Sequence, residues 1–251
     1  MNANPGELRS EAAWKRAARA ALKLLPGGLV VRVPMGPMRG MRWMPESMPH
    51  GAWLGQLERA QLDAFLSHIQ PGTTVWDVGA NVGLYAIPSA RAAGAAGGVF
   101  AFEPVPRNLT YLRRHIALNH LHNVQVIDAA VSDRPGEVRM GPGASPSEAA
   151  MTDDGPWVVR AVPLDAWRVE TNTPAPGLIK IDVEGHEHCV LAGAIETLRR
   201  ARPVVFLSIH GAAQAEACRA ILIREGYRLS SLQSGVALEA ASEWLAEPGP
   251  V

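Results

Sequence analysis

Between positions 75 and 85 the sequence reads Val-Trp-Asp-Val-Gly-Ala-Asn-Val-Gly-Leu-Tyr, a β-type stretch that enters a glycine turn and then helical periodicity. Gly79 and Gly83 lack a Cβ, so the chain can turn tightly and an adenosyl group can approach the backbone around Ala80 and Asn81. The N-terminus of the following helix offers N–H donors to a carboxylate. Glu103 comes twenty positions after Gly83 (103 − 83). It is expected at the end of the next strand, where an acid in this kind of unit accepts both hydroxyls of a ribose. Asp77 adds a carboxylate beside the turn, suited to a ligand with an amino group and a sulfonium rather than a pyrophosphate; the alternative is that it holds the turn through backbone hydrogen bonds. Asp128, at the end of a third strand, is placed to meet an adenine amino group, with Ala129 and Ala130 small enough to admit the ring. There is no Gly-Lys-Ser/Thr, which removes a phosphate-cradling loop. The spacing Gly-x-x-x-Gly also weakens a dinucleotide reading, which requires Gly-x-Gly-x-x-Gly.

A second group of reactive side chains follows the fourth and fifth expected strands: Asp182, Glu184 and His186, then His210. In open α/β sheets both positions face the crevice beyond the carboxyl ends of the strands. His210 is the candidate general base, on the reasoning that a near-neutral imidazole accepts a proton at physiological pH, and Asp182 is its partner or the acid that orients a nucleophilic hydroxyl. Glu184 and His186 are second choices, with capping or surface pairing as their alternative, as for His188. A divalent metal on Asp182, Glu184 and His210 is conceivable, but the spacing matches no established ligand pattern, so no metal is expected. His50, His68, His115, His120 and His122 are expected to be structural or surface residues.

The elements that must position these groups follow from periodicity. Brief apolar runs at 74–78, 98–102, 124–128, 178–182 and 203–209 read as strands, joined by helical segments at 82–93, 106–119 and 186–200. These are crossovers of the length a parallel βαβ sheet requires. Pro88 falls inside the first of the three and is expected to kink it. Stretches 131–140 and 157–162 read as strands around a Gly/Pro/Ser-rich segment, 141–156, that is either a substrate-side loop or a surface insertion. A helix near 212–225 and runs at 227–232 and 235–239 would close the sheet with an antiparallel edge pair. Upstream, 29–44 reads as a small β-hairpin and 56–69 as a lead-in helix. Residues 11–25 spell a basic amphipathic helix that packs on its own domain, rests on a membrane or contacts a second subunit.

The 251 residues suit one α/β domain, taken as 56–251, with an N-terminal helix and hairpin extension at 1–55. With 24 basic and 24 acidic residues, no global field recruits nucleic acid, so a small-molecule partner is expected. Two cysteines are too few for a disulfide framework, and no apolar run reaches a bilayer's span. Both observations suit a cytoplasmic protein.

Several motifs together resemble the FkbM family of S-adenosylmethionine-dependent methyltransferases over roughly residues 50–211. They are Asp77 through Tyr85, Phe102-Glu103-Pro104 with Asn108 and Asn119 downstream, Ala129 through Asp133, Leu164-Asp165, and Ile179 through Glu187. The resemblance implies the class I methyltransferase fold, a Rossmann-like seven-stranded, mostly parallel sheet with helices on both faces. It also implies S-adenosylmethionine as cofactor and O-methylation of a hydroxyl on a sugar, glycolipid or natural product. Carried onto this chain, the cofactor contacts are Asp77, Gly79, Ala80, Asn81, Gly83 and Tyr85 from the turn. Glu103, Pro104, Asn108, Asp128, Ala129 and Asp182 complete them. Glu58, His186 and His210 are the candidate substrate contacts. Where many relatives have Tyr-Glu in the lead-in helix, this chain has Leu57-Glu58. The competing readings are an NAD(P)-dependent oxidoreductase and a non-catalytic S-adenosylmethionine-binding protein, and self-association through the N-terminal region is a further expectation.

Overall fold

The structure, a computed structural model, describes residues 28–48, 51–142, 149–152 and 154–250. The amphipathic 11–25 segment lies outside the described residues, as does His50. The chain opens with a two-stranded antiparallel hairpin, β1 (Val31–Arg32) and β2 (Arg42–Trp43), followed by helix α1 (Arg59–Ser67). Then come β3 (Thr74–Val78), α2 (Ala86–Ala93), β4 (Gly98–Phe102), α3 (Pro106–Leu118) and β5 (Val124–Ile127). Four strands follow: β6 (Ala130–Val131), β7 (Gly136–Pro142), β8 (Ala149–Met151) and β9 (Trp157–Val162). The remainder runs α4 (Leu164–Thr171), β10 (Leu178–Ile181), α5 (Glu187–Ala192), α6 (Ile195–Arg200), β11 (Val204–Ser208), α7 (Ala212–Arg224), β12 (Tyr227–Ser231) and β13 (Glu243–Pro248).

Seven strands form the central sheet in the order β12-β13-β11-β10-β3-β4-β5, and the pairings among β11, β10, β3, β4 and β5 are all parallel. This is the α/β sheet expected, with strands buried on both faces because helices cover both. Alternation along each strand divides the interior. Trp76, Val78, Phe102, Ile179 and Ile181 face one apolar cluster, where Trp167 of α4 stands edge-on to Trp76 and Phe102. Val75, Val99, Ala101, Leu178 and Phe206 face the other, shared with Leu62 and Phe65 of α1 and with Trp43 of the hairpin. The hairpin is tied down by His115 of α3: its ring stacks on Trp43 with centroids 3.9 Å apart, and its Nε2 accepts the Met44 N–H at 3.1 Å.

Four sequence expectations change. The last strand is not 235–239, which holds a short 3-10 turn at Leu238–Ala240; it is β13, inserted antiparallel between β11 and β12. Its Glu, Ala and Pro are poor strand formers, and pairing on both sides overrides that propensity. Pro88 does not kink a helix, since α2 starts at Ala86 and Pro88 sits in the first turn, where no intrahelical donor is lost. The 186–200 segment is two helices that break at Gly193, where a Cβ would stand 2.2 Å from the Ser132 carbonyl oxygen. Finally, part of the 141–156 segment is β8, which with β6, β7 and β9 makes a separate four-stranded sheet over the carboxyl end of the central one.

Candidate functional site

The glycine turn leaves β3 and packs directly on the chain leaving β10. Gly79 has φ +85°, and a Cβ there would lie 1.8 Å from the Asp182 carbonyl oxygen, so no side chain fits. The Gly79 and Ala80 N–H groups donate to the Phe102 carbonyl at 3.0 and 2.9 Å, which stitches the turn to the end of β4. The next N–H, of Asn81 in a left-handed conformation, donates to Glu103 Oε2 at 2.8 Å. Glu103 Oε1 accepts the Val105 N–H at 2.8 Å and the Asn108 amide at 3.4 Å. Glu103 is only 4% exposed, and burial pushes its carboxyl up to about 7 against those three hydrogen bonds.

Beside this carboxylate opens a cavity of about 330 Å³. Its wall includes Gly79, Ala80, Asn81 and Tyr85 of the turn, Glu103, Pro104 and Asn108 beyond β4, and Ala129 and Ala130 beyond β5. Asp182 and Glu184 close it from the β10 side, Met48, Leu57 and Glu58 from the lead-in region, and Met140 and Met151 from β7 and β8.

Other expected residues stand off the wall. Gly83 does not line the cavity: a Cβ there would meet Ile87 and Leu112 side chains at 2.8 and 2.9 Å, so its role is to let α2 and α3 close on the turn. Asp128 is also off the wall, half exposed and paired with Arg113. Asp77 lies beneath the turn, 2% exposed, and accepts the Ala86 N–H, as the backbone-holding alternative requires. Its Oδ2 is buried without a hydrogen-bond partner among the described residues, and burial raises the acid to about 7 even though Lys180 pulls the other way. His186 precedes α5 without capping it, its Nδ1 buried and without a hydrogen-bond partner among the described residues. His188 Nδ1 meets Gln214 Oε1 at 2.8 Å. The Tyr85 hydroxyl donates to Glu58 Oε2 at 2.8 Å, and burial together with that carboxylate holds the phenol protonated.

Sequence reasoning missed a buried polar row on one face of the sheet. Lys180, 2% exposed, lies in register beside Asp77, donates to Ser208 Oγ, reaches Asp182 Oδ2 at 3.5 Å and sits 5.1 Å from the Tyr85 ring centroid. Ser208 in turn donates to Glu243 Oε2 at 3.1 Å. Despite burial, which alone would lower it, Lys180 is raised by Asp182, Glu243, Glu58 and Asp77 and stays charged. The signal was available: a lysine amid the apolar residues of a strand buried on both faces requires carboxylates around it.

His210 stands at the end of β11, its Nε2 3.5 Å from Glu184 Oε2 and 3.9 Å from Asp182 Oδ1. Its Nδ1 is 2.8 Å from Oε1 of Glu187, which is fully buried and also accepts the Gly185 N–H at 2.9 Å. The hydrogen bond to Glu187 raises the imidazole to about 9, with Asp182 and Glu184 adding to it against desolvation. A ring so held is cationic at neutral pH, which corrects the expectation of a near-neutral base. Of the cluster, the groups that line the cavity are Asp182 and Glu184.

Three kinds of comparison bear on this geometry. A family model described as the methyltransferase FkbM domain matches residues 77–229. The hexuronic acid methyltransferase AglP of Haloferax volcanii is 28% identical over 156 residues, covering 61% of this chain and 62% of AglP. The 2-O-methyltransferase NoeI of Sinorhizobium fredii is 29% identical over 159 residues, covering 53% and 62%. The 31-O-demethyl-FK506 methyltransferase FkbM of Streptomyces tacrolimicus is 31% identical over 159 residues, covering 50% and 60%. The chain thus spans about three fifths of the length of these curated relatives. Among solved structures, a methyltransferase FkbM from Methylobacillus flagellatus shares the fold, with a TM-score of 0.51 at 17% identity, covering 79% of this chain and 53% of the other.

Proposed function

Because the chain belongs to the FkbM methyltransferase family, we propose that it transfers the methyl group of S-adenosylmethionine to a hydroxyl of a sugar, glycolipid or natural-product small molecule. The three curated relatives act, by their names, on a hexuronic acid, at a 2-hydroxyl and on a macrocyclic natural product, which supports an oxygen acceptor.

The observation that carries the donor assignment is the buried Glu103 carboxylate on the wall of a cavity, hydrogen-bonded to the glycine turn that lines the same wall. The volume, about 330 Å³, falls within the roughly 300–1,000 Å³ of small-molecule sites. An ionised carboxylate has about four acceptor positions, of which three are engaged. One ribose hydroxyl takes the fourth and the other displaces the long Asn108 contact. Ala129 and Ala130 leave room for a flat ring, with Pro104 and Asn108 along the same wall. Bound there, the donor supplies an electrophilic methyl on a sulfonium.

The chain's own task at the acceptor is to align one oxygen and take one proton. Asp182 is assigned as proton acceptor, with Glu184 beside it. The His210 cation, oriented by Glu187, positions both carboxylates and offsets their mutual repulsion. Glu58, held by the Tyr85 hydroxyl, faces the same space and is assigned to the acceptor. No helix among the described residues is long and apolar enough to cross a membrane. Neither Cys189 nor Cys218 is in a disulfide, which supports a cytoplasmic assignment.

Titration calorimetry tests the donor site. S-adenosylhomocysteine is expected to bind, and Glu103→Ala to weaken it by about 1–3 kcal/mol; heat from NADH with none from S-adenosylhomocysteine would replace this reading with an oxidoreductase. For the chemistry, Asp182→Asn is expected to lower turnover by a factor of ~10² while donor affinity stays within a few-fold. Methyl transfer at the wild-type rate in that variant would remove Asp182 from the reaction.

A further inference from the structure

Asp182, Glu184 and His210 bring one ligand-type atom each to within 4.8 Å of the others. We propose that these three side chains bind a divalent transition-metal ion, Mn²⁺ in character, whose remaining positions open onto the cavity and hold the acceptor oxygen. The binding stands on geometry, while the role toward the acceptor rests on the methyltransferase reading.

Three observations carry it. The first is spacing. With ligand bonds of about 2.1 Å, neighbouring donors stand about 3.0 Å apart at right angles and about 3.4 Å apart in a tetrahedron. Nε2 of His210 is 3.5 Å from Glu184 Oε2 and 3.9 Å from Asp182 Oδ1, and all three ligand atoms lie within 4.8 Å of one another, so side-chain adjustments on the order of an ångström close them onto one ion.

The second is orientation. Glu187, itself pinned by the Gly185 N–H, fixes the proton on Nδ1 of His210 and aims the Nε2 lone pair at two carboxylates. Three acceptors cannot face one another without a cation among them. A metal ion among them turns Glu187 into the outer carboxylate of a carboxylate–histidine–metal arrangement. Glu187 is fully buried, and its Oε2 has no hydrogen-bond partner among the described residues. A buried carboxylate in that state calls for more positive charge nearby than one half-exposed ring provides.

The third is placement. Asp182 Oδ2 is turned to Lys180 at 3.5 Å, which leaves Oδ1 for the cluster. A left-handed residue at Glu184 (φ +53°) followed by Gly185 (φ +101°) brings the second carboxylate back to the side of the first. Both carboxylates line the cavity, so the open coordination positions point where an acceptor would sit. One imidazole among oxygen donors suits Mn²⁺, Fe²⁺ or Zn²⁺ better than Mg²⁺ or Ca²⁺, which take oxygen almost exclusively. A metal there would hold the acceptor hydroxyl oxygen; as the O–CH₃ bond forms, the sulfonium S–CH₃ bond breaks to leave neutral S-adenosylhomocysteine, and the hydroxyl proton passes to the Asp182 carboxylate already assigned that role.

The test is Mn²⁺ titration of the EDTA-treated full chain, followed by loss of the free-ion electron paramagnetic resonance signal, with S-adenosylhomocysteine calorimetry on the same sample. One ion per chain is expected. His210→Gln and Glu184→Gln, both at partly exposed positions that should leave the fold intact by circular dichroism, are each expected to weaken it at least tenfold, and Glu187→Gln by roughly 10–100-fold. No Mn²⁺ binding up to about 1 mM, or binding unchanged by His210→Gln, overturns the site. S-adenosylhomocysteine binding without Mn²⁺ binding refutes the metal alone; Mn²⁺ binding without S-adenosylhomocysteine binding leaves the metal and refutes the donor site.

Discussion

Glu103 should make the stability of this protein depend on pH in the opposite sense to most carboxylates. Its folded-state value is raised from 4.5 to about 7, chiefly by burial. A carboxyl with a raised folded pKa contributes stability that is fully present below its unfolded value and is lost as pH rises through the folded one. With each pKa unit worth about 1.36 kcal/mol, the loss between pH 4.5 and 7 is roughly 3 kcal/mol. The wild-type curve alone will not reveal it. His115 is lowered from 6.5 to about 4 by burial, its neutral ring fixed between the Val82 carbonyl and the Met44 N–H. A depressed histidine contributes stability that is present above pH 6.5 and is lost as pH falls through 4, so the two slopes overlap and oppose.

The diagnostic quantity is therefore a difference between proteins. Urea unfolding of wild type and Glu103→Gln across pH 4.5–7.5 should show the wild type losing its advantage over the variant, or falling further behind it, by roughly 3 kcal/mol as pH rises. Donor binding should run the other way, because ribose hydroxyls donate to the ionised form. With a midpoint near 7, the ionised fraction goes from about one tenth at pH 6 to about nine tenths at pH 8, so S-adenosylhomocysteine affinity should rise up to ~10-fold in wild type. A wild-type-to-variant gap that stays constant with pH would refute the reasoning, because it would mean that Glu103 is not raised in the folded protein.

His115→Ala should cost about 2–4 kcal/mol at neutral pH, and that cost should shrink as pH falls from 6.5 towards 4, as read by urea unfolding of the variant against wild type. Gly79→Ala, whose Cβ would overlap the Asp182 carbonyl at 1.8 Å, should abolish S-adenosylhomocysteine binding or folding. Gly83→Ala, at a φ of +101°, meets Ile87 Cγ1 and Leu112 Cδ1 at 2.8 and 2.9 Å rather than backbone and should lose about 1–3 kcal/mol while still binding; equal behaviour of the two would contradict the packing described. Asp165 accepts the Glu196 N–H at 2.8 Å and the Thr197 N–H at 2.9 Å at the start of α6, so Asp165→Ala should lower stability by about 1 kcal/mol in thermal melts and leave donor affinity alone.

The sequence disclosed those parts of the fold in which local pattern and tertiary demand agree. The five parallel strands were legible because strands buried on both faces read as apolar runs, and the meeting of Gly79, Asn81 and Glu103 at one cavity because they lie close to a strand-turn-helix. What stayed hidden depends on side chains brought together from afar. Asp128 reads as a ligand contact by position, yet it is half exposed and pairs with Arg113, fifteen residues earlier. His210 reads as a base by type, but a buried Glu187 from a different element turns it into a cation. β13 is stabilised by the partners on either side of it, which no window of six residues contains.

That last strand also sets the order of assembly. Since residues 243–248 fill the gap between β11 and β12, neither neighbour has its full ladder until this late segment arrives. A nascent chain paused before it presents two unsatisfied strand borders, a template for pairing with another copy. Removing the segment should therefore show itself as insolubility during synthesis sooner than as a lowered melting temperature.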